Sequence, residues 1–299
     1  MVVIMKFQIC WWNTGLSPPV GKVNDAVHLE KVRDGISALI DSGVDMIFLG
    51  EVNSNALNTL APNGSFGDYI FIDRSRDAVK TKFNMALGFR AGQVQITDSN
   101  FITQRARSKK RKLAQLFSVI LNEKDRFEIF VVHWPSRIYQ PEDGSLRSLI
   151  SGILRTSVDA ILDKNENEKI VLLGDFNDEP HNESIALNMS ATRDPALARR
   201  DPRLLYNPFW RSMVPVEKYC HSSDMPATFG TYYYHDGDVH KWQVLDQALV
   251  SSAFLGRSEW HLNEDETTIL QDAEHFDVGP GASKMIDHLP IVVTLEKIS

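Results

Sequence analysis

Polar residues of the kinds that bind metal ions and phosphates stand where apolar runs of this chain end. The clearest case is VLLGDFNDEP (171–180), in which an apolar run passes into Asp175, Asn177, Asp178 and Glu179. Carboxylates this close together raise one another's pKa unless a cation or hydrogen-bond donors compensate. The stretch therefore predicts either a polar turn, which these residue types also favour, or part of a catalytic site.

The same pattern recurs elsewhere along the chain. The residues concerned are Asn13 in ICWWN, Glu51 in MIFLGEVN, His133 in IFVVHWPSR, Asp246 in VLDQALVS, and Asp287 with His288 in MIDHLPI. Each of them alone has an ordinary explanation, such as a strand cap or a satisfied core histidine. Together, residues drawn only from Asn, Asp, Glu and His predict one site assembled on a rigid scaffold.

Residues of these types suit metal or phosphate chemistry, because carboxylate and amide oxygens are the ligands that hard cations prefer. The sequence has no HExxH, paired CxxC or P-loop pattern, so zinc proteases and nucleoside triphosphatases lack support.

Short apolar runs and amphipathic stretches must position these residues. Runs that predict strands are 6–13, 45–53, 85–89, 114–122, 127–134, 169–177, 243–251 and 289–297. Helical spacing of apolar residues predicts helices over 22–42 and 145–163. No Gly/Ser-rich or Pro-rich linker divides the chain, so we predict a single catalytic domain over 1–299. From the pattern alone, a doubly wound α/β sheet is favoured almost as strongly as two packed sheets.

Asn13 and the motifs GEVN, HWPSR, GDFND, LDQALVS and DHLP, in this order and spacing, resemble the endonuclease/exonuclease/phosphatase superfamily, which includes the pancreatic-type deoxyribonucleases. The resemblance extends from Asn13 to His288. It implies an α+β fold, a four-layer α/β/β/α sandwich with two packed mixed, mostly antiparallel sheets. It also implies a metal-dependent phosphoric ester hydrolase, in which Glu51 is the main ligand of Mg²⁺ or Mn²⁺ and Asn13 and Asp287 lie beside it.

The resemblance further implies a catalytic role for each remaining residue. Asp175 would orient or deprotonate the attacking water, and Asn177 would contact the phosphate. His288, polarised by Asp246, would bind a phosphate oxygen or act as the base. His133 would stabilise charge at phosphorus or assist the leaving group.

Within GDFNDEP, alternation along a strand predicts that Phe176 points away from Asp175 and Asn177 and anchors the strand. Asp178 and Glu179 then belong to a turn before Pro180.

Basic residues define the candidate substrate contacts. The stretch RARSKKRKLAQL (105–116) carries six basic residues within 105–112, and this run fits a solvated face as well as a phosphate clamp. The substrate-binding candidates are Arg105, Arg107, Lys110 and Arg111, together with Asn84 and with Arg137 of HWPSR.

Two aromatic stretches allow both a packing role and a base-stacking role. In ALARRDPRLLYNPFWR (196–211), arginines alternate with Tyr206, Phe209 and Trp210, which either stack bases or pack in the interior. The run Tyr232–Tyr234 could stack a base, although a strand with alternating faces is the favoured interpretation.

These features favour a nuclease that cleaves DNA or RNA by in-line attack of an activated water. Two alternatives remain: a phosphatase or phosphodiesterase for a small phosphorylated molecule or lipid headgroup, and an inactive family member that serves as a binding module. The net charge of −7 argues against non-specific coating of nucleic acid but allows a local basic groove.

Location and membrane contact are predicted from the cysteines and the N-terminal sequence. Two cysteines suggest a reducing compartment, and the N-terminal stretch lacks the features of a signal peptide. No run is long enough to span a bilayer. We therefore predict a cytoplasmic protein with no membrane partner.

Overall fold

Two seven-stranded sheets form the centre of the molecule. The computed structural model describes residues 4–17, 26–74, 84–106, 109–136, 145–215, 221, 229–272, 274–282 and 285–298. With strands numbered in chain order, the first sheet runs β15 (Trp260–Ile269), β16 (Ile291–Ile298), β1 (Ile4–Asn13), β2 (Met46–Gly50), β5 (Met85–Arg90), β4 (Tyr69–Asp73), β3 (Ser65–Phe66).

The second sheet has the same number of strands and packs on the first. Its order is β10 (Ala191–Thr192), β11 (Leu205–Tyr206), β14 (Asp246–Val250), β9 (Ile170–Asp175), β8 (Asp125–His133), β7 (Lys109–Leu121), β6 (Val94–Ala106). A separate two-stranded hairpin consists of β12 (Tyr232–Tyr233) and β13 (Trp242–Gln243). The helices are α1 (Ala26–Asp41), α2 (Ser54–Leu60), α3 (Ser145–Leu162), α4 (Glu183–Ala186) and α5 (Pro195–Arg200), and short 3₁₀ turns cover Pro62–Gly64, Pro208–Met213 and Ser252–Phe254.

The central strands are apolar along their whole length because both of their faces are covered. All residues of β2, β9 and β14 are buried. Between the sheets, side chains such as Phe7, Phe48 and Phe127 form the larger core. A second core lies between the outer face of the second sheet and α3, where Leu154 and Val158 are buried.

Helix α1 covers the outer face of the first sheet. Its buried residues Val32, Gly35, Ile36 and Leu39 recur at helical spacing. Gly35 is required by the contact with β1, because a Cβ there would lie 2.6 Å from the ring of Trp12. The layers are therefore helix, sheet, sheet and helix, which confirms the predicted four-layer sandwich over the doubly wound sheet.

The pairing of β1 explains how distant parts of the chain meet. β1 is antiparallel to β16, with Ile4 opposite Ile298 and Trp11 opposite Ile291, and it is parallel to β2 on its other side. Each predicted strand and both predicted helices are present, with somewhat different limits. The single-domain organisation stays a prediction.

Several elements were not predicted from the sequence. The connection 54–84 contains α2, β3 and β4, and the connection 178–242 contains a series of short elements. The acidic segment 259–277 begins with β15 at the edge of the first sheet. Within the residue ranges given above, no helix is long and apolar enough to cross a lipid bilayer.

Gly174 provides a test of the close approach between β8 and β9. It has φ of 144°, and a Cβ at this position would lie 1.9 Å from the carbonyl oxygen of Val132. We expect Gly174→Ala to lower the free energy of unfolding by roughly 3 kcal/mol in urea denaturation, because the backbone of β8 must move. Gly92→Ala is the matched control, since Gly92 also has a positive φ, 82°, but open space around it. Equal losses in the two variants would contradict the backbone clash.

Candidate active site

The predicted catalytic residues converge where strands of both sheets end. In the second sheet, His133 at the end of β8 lies beside Asp175 at the end of β9, and Asp175 lies directly opposite Asp246 on β14. From the first sheet, the Asn13 side-chain amide at the end of β1 donates to Asp175 Oδ2 and to Glu51 Oε1, at 3.4 Å each. The amide of Asn13 thus joins the two sheets.

Asp175 is held by Asn177. The backbone N–H of Asn177 donates to Asp175 Oδ1 at 2.8 Å, and the side-chain amide donates to Oδ2 at 2.9 Å and to the carbonyl of Trp134 at 3.0 Å. Asn177 adopts a left-handed φ of 50°, which only a few residue types tolerate. Contact with a phosphate, the role implied for Asn177 by the family resemblance, would require these hydrogen bonds to be exchanged.

Phe176, between these two polar residues, lies on the opposite face. Its side chain is fully buried in the core under α3 and packs edge-on against Trp134, with ring centroids 5.2 Å apart. The next residue, Asp178, is also buried rather than a solvent-exposed turn residue. It accepts a hydrogen bond from Ser184 and lies 3.6 Å from Nε of Arg147. Asp178 therefore helps to fix the turn after β9.

His288 and Asp246 form a buried pair. His288 Nδ1 lies 2.7 Å from Asp246 Oδ2, and the indole N–H of Trp11 donates to Asp246 Oδ1 at 2.8 Å. The hydroxyl of Thr231 accepts the backbone N–H of Asp246 at 2.9 Å. Burial lowers the pKa of His288, but the charge and hydrogen bond of Asp246 outweigh burial and raise the pKa well above its usual value. His288 is therefore positively charged at neutral pH.

His133 has the opposite electrostatic environment. Its Nε2 lies 3.5 Å from Glu51 Oε1 and 3.8 Å from Asp175 Oδ2. Burial, followed by the charge of His288, lowers the pKa of His133 to about 4. His133 is therefore a neutral imidazole at pH 7, and neither distance represents a true ion pair.

The two carboxyl groups between these histidines have raised pKa values. Burial, with a contribution from Asp246, raises the pKa of Asp175 to about 8. Burial also raises the pKa of Glu51 to about 7, while His288 opposes the shift and Asp287 adds to it. The cationic groups in the described part of the chain therefore do not offset the cost of burying these two carboxylates.

Glu51 and Asp287 offer carboxylate oxygens to a divalent cation. Asn13 would offer its side-chain oxygen only after a change of contacts, because this oxygen accepts the backbone N–H of Gly15 at 3.2 Å and the NH2 group faces Glu51. Glu51 has a left-handed φ of 56°, and its backbone N–H donates to the carbonyl of Asn84 at 2.9 Å. Asp287 lies near Gly15, since a Cβ built on Gly15 would be 4.0 Å from Asp287 Oδ1, and its charge contributes to the raised pKa of Glu51. Carboxylate and amide oxygens are the ligands that hard cations prefer, and a cation would relieve the electrostatic cost expressed in the raised pKa of Glu51.

A second group of potential ligands, Asp175, Asp246 and His288, has donor atoms within 4.8 Å of one another. The Nδ1 of His288 is engaged with Asp246, and a protonated imidazole cannot bind a metal. We therefore assign this group to proton and charge chemistry rather than to metal binding.

The predicted substrate-binding residues are more dispersed. Asn84 donates from its side chain to Ser17 Oγ at 2.7 Å and supports Glu51 through its backbone. Arg105, Lys110 and Arg111 lie on paired strands, with Arg105 opposite Lys110, and only Arg111 among these has a described side chain, which is half-buried. Arg107 and Arg137 lie outside the described residues.

The basic run is thus part of two long strands, β6 and β7, which we call the basic hairpin (94–106 and 109–121). Each strand has 13 residues. Near the start of β7, the ammonium of Lys112 lies 3.8 Å from the ring centroid of Phe101. The charge of Lys112 contributes to the lowered pKa of His133. The charge of Lys112 therefore reaches the candidate site.

The other arginine-rich stretch has a structural explanation. Tyr206 and Phe209 are buried, whereas Arg203 and Arg211 form ion pairs with Asp163 at 2.7 Å and Glu264 at 2.9 Å. Two of the four arginines of this stretch are thus paired with carboxylates, which weakens the case for a phosphate-binding surface here.

Sequence reasoning missed the residues that support the His288–Asp246 pair. Trp11 lies two residues before Asn13, and strand alternation could have placed both side chains on the same face. Thr231 accepts the backbone N–H groups of Leu245 and Asp246, but no sequence signal links it to this strand end. Trp12, on the opposite face, donates to the carbonyl of His288 at 3.1 Å.

Comparisons with known proteins connect this geometry to a family. A family model described as the Endonuclease/Exonuclease/phosphatase family matches residues 24–277. No curated protein matches the chain.

Solved structures with the same fold include the human Nocturnin catalytic domain with bound sulfate, with a TM-score of 0.64 and 16% identity over 100% of this chain and 98% of that chain. D. rerio TDP2 complexed with a single strand DNA product has a TM-score of 0.57 and 16% identity, over 97% of this chain and 98% of that chain. The Bacteroides thetaiotaomicron mannosyl-6-phosphatase has a TM-score of 0.59 and 15% identity, over 97% of this chain and 99% of that chain. At these identities the likeness shows a shared fold.

The raised carboxyl pKa values predict how stability depends on pH without metal. From pH 6.5 to about 8, the folded protein holds protons on Asp175, Glu51 and His288 that the unfolded chain releases. The free energy of unfolding in EDTA should therefore fall across this range. His133 acts in the opposite direction only between its folded pKa of about 4 and its usual value of 6.5.

Urea denaturation at a series of pH values measures this slope. Asp175→Asn, which removes one of the titrating groups, should make the slope shallower. A free energy of unfolding that rises from pH 6.5 to 8 would contradict the assigned protonation states.

Proposed function

The chain belongs to the endonuclease/exonuclease/phosphatase family, whose members hydrolyse phosphoric esters, and from that premise we propose that it is a divalent-metal-dependent phosphodiesterase acting on nucleic acid. The observation that carries the proposal is the position of Asp175. This buried carboxyl group is oriented by Asn177 between a neutral histidine and a charged His–Asp pair. Such an arrangement suits activation of a water next to an anionic ester.

Glu51, Asn13 and Asp287 would hold the metal, with Mg²⁺ or Mn²⁺ as the proposed ion. When bound, the ion supplies positive charge to the phosphate oxygens and lowers the pKa of the attacking water. Glu51 is well suited because its strained backbone fixes the carboxylate between the two sheets.

Asp175 accepts the proton of the attacking water in this proposal. Asn177 donates a hydrogen bond to each oxygen of Asp175 and so fixes the orientation of the carboxyl group, which makes Asn177 a positioning residue. Exclusion of bulk water matters as well, because burial raises the basicity of the Asp175 carboxylate.

The two histidines then have different tasks. His288 is cationic because it is held by Asp246, and it binds a non-bridging phosphate oxygen through charge and hydrogen bonding. His133 is neutral, so it stabilises the transition state as a hydrogen-bonding group rather than as a cation.

The basic hairpin favours nucleic acid over a small phosphorylated molecule. A single phosphate group needs few cationic contacts, whereas a polynucleotide presents further phosphates on either side of the cleaved bond. Lys112 stands three strands away from Asp246 in the sheet order β14, β9, β8, β7, so this basic region lies beside the site and not within it.

The central experiment is Asp175→Asn. We expect loss of about 10²- to 10⁴-fold in kcat on a single-stranded DNA or RNA substrate with Mg²⁺ or Mn²⁺, since the variant has no base. The thermal midpoint of the variant should be measured alongside kcat, because the amide group of Asn can accept only some of the hydrogen bonds that Asn13 and Asn177 donate to Asp175.

Asp265→Asn, at an exposed position on edge strand β15, is the matched control and should retain activity. Undiminished cleavage by Asp175→Asn would refute the role of this residue. A wild-type protein that cleaves neither DNA nor RNA would refute the function. Turnover of a sugar phosphate or a phosphorylated lipid headgroup would then favour a phosphatase, and no turnover at all would favour a binding module.

Metal binding can be tested without activity. Mg²⁺ or Mn²⁺ should raise the thermal midpoint, more at pH 8 than at pH 6, because the ligands must lose their protons. Glu51→Gln should abolish this increase, whereas Glu30→Gln, on the exposed side of α1, should preserve it. An equal metal response in the two variants would exclude Glu51 as a ligand.

A further inference from the structure

Two tyrosine rings extend from His288 towards solvent. The rings of Tyr232 and His288 have centroids 4.7 Å apart, and those of Tyr232 and Tyr234 have centroids 6.4 Å apart with planes only 19° from parallel. Tyr232 is half-buried, whereas Tyr234 is 37% exposed. The rings therefore form a continuous aromatic surface that begins at a residue of the candidate site and ends in solvent.

The backbone holds this surface in place. Tyr232 forms a β-bridge with His288, and the backbone N–H of Tyr233 lies 3.4 Å from the carbonyl of Asp287. The intervening side chain, Tyr233, points the other way and packs on Trp242 with ring centroids 5.0 Å apart. Tyr233 thus has a packing role, while the two rings on the other face are oriented alike beside the site.

The charges around the tyrosines indicate which part of a substrate they meet. Asp236 and Asp238, in the turn that follows, are exposed and would repel a phosphate. Lys112 and the basic hairpin lie on the opposite side of the site, beyond β9 and β8 in the second sheet. Strands are about 4.8 Å apart, so β14 and β7 are separated by about 14 Å.

A ligand that matches both sides has an uncharged aromatic group next to the attacked phosphate and further phosphates in the other direction. A single-stranded polynucleotide has this pattern, because its unpaired bases are free to stack on aromatic side chains while its backbone follows a basic surface. A small sugar phosphate could cover a tyrosine ring but could not also extend to Lys112.

We propose that Tyr232 and Tyr234 stack a nucleobase of a single-stranded substrate whose neighbouring phosphate is bound at His288. This assignment rests on the proposed phosphodiesterase function. It adds the substrate class and the direction in which the polynucleotide lies across the site. The base faces the hairpin β12–β13, and the continuing backbone faces the basic hairpin.

The test compares two oligomers that have the same sugar–phosphate backbone. One is a short single-stranded oligonucleotide, of the deoxy or ribo series that the wild type cleaves faster, and the other carries base-free tetrahydrofuran residues throughout. The measured quantity is the ratio of kcat/KM for the oligomer with bases to that without. We expect Tyr234→Ala to reduce this ratio about 10-fold, mainly through KM, and Tyr234→Phe to restore it because the ring is retained.

Val239→Ala is the control for the hairpin, since Val239 is 82% exposed in the same turn, and it should have the wild-type ratio. A ratio that Tyr234→Ala leaves unchanged would overturn the proposal. A larger loss on mannose 6-phosphate than on the oligonucleotide would also overturn it, in favour of a sugar ring as the stacked group.

Binding separates this proposal from the proposed function. If the wild type cleaves no oligomer, the function is refuted, and fluorescence anisotropy of both oligomers with Asp175→Asn then decides the stacking role. The stacking role would be supported if Asp175→Asn binds the oligomer with bases more tightly, and if this preference is lost when Asp175→Asn is combined with Tyr234→Ala. Equal binding of the two oligomers would overturn it.

Discussion

Asp175 and Asp246 are buried directly opposite each other on neighbouring strands, and the arrangement of the site depends on this pairing. Like charges that face each other across a sheet are unfavourable, and burial makes the cost greater. His288 compensates one carboxyl through its contact with Asp246. The other carboxyl, Asp175, is left with a pKa of about 8, and its proton is held by the environment rather than balanced by a cation.

Each sheet supplies a different part of the candidate site. The second sheet aligns His133, Asp175 and Asp246 at adjacent strand ends, and the first sheet supplies donors through Asn13 and Trp11. Positive φ values at Glu51 and Asn177 are unfavourable locally but persist because the surrounding strands are fully buried.

The sequence predicted the central strands better than the edges of the fold, and the candidate site residues lie at the ends of those central strands. An apolar run such as 170–175 is buried on both faces, so its composition indicates its position. β15 has the sequence WHLNEDETTI, whose charges protect an edge strand from further pairing but conceal it from a hydrophobicity pattern.

Contacts between residues far apart in the chain could not be predicted from spacing. The hydrogen bond from Trp11 to Asp246 depends on the packing of one sheet on the other, and the ring contact of Tyr232 with His288 depends on an isolated bridge. The basic run was expected either as a solvated face or as a clamp. Its place in two paired strands became evident only from the register of β6 with β7.

The antiparallel pairing of β1 with β16 has a consequence for the order of events during synthesis. Asn13 is synthesised before the other residues of the candidate site, whereas β16, the strand that pairs with β1, follows His288 in the chain. Folding during translation proceeds from the N-terminal side, so a nascent chain already contains Asp175 and Asp246 while it still lacks their neutralising histidine. Until then the two carboxyl groups lack their cationic partner, and the candidate site is complete only when β16 has paired with β1.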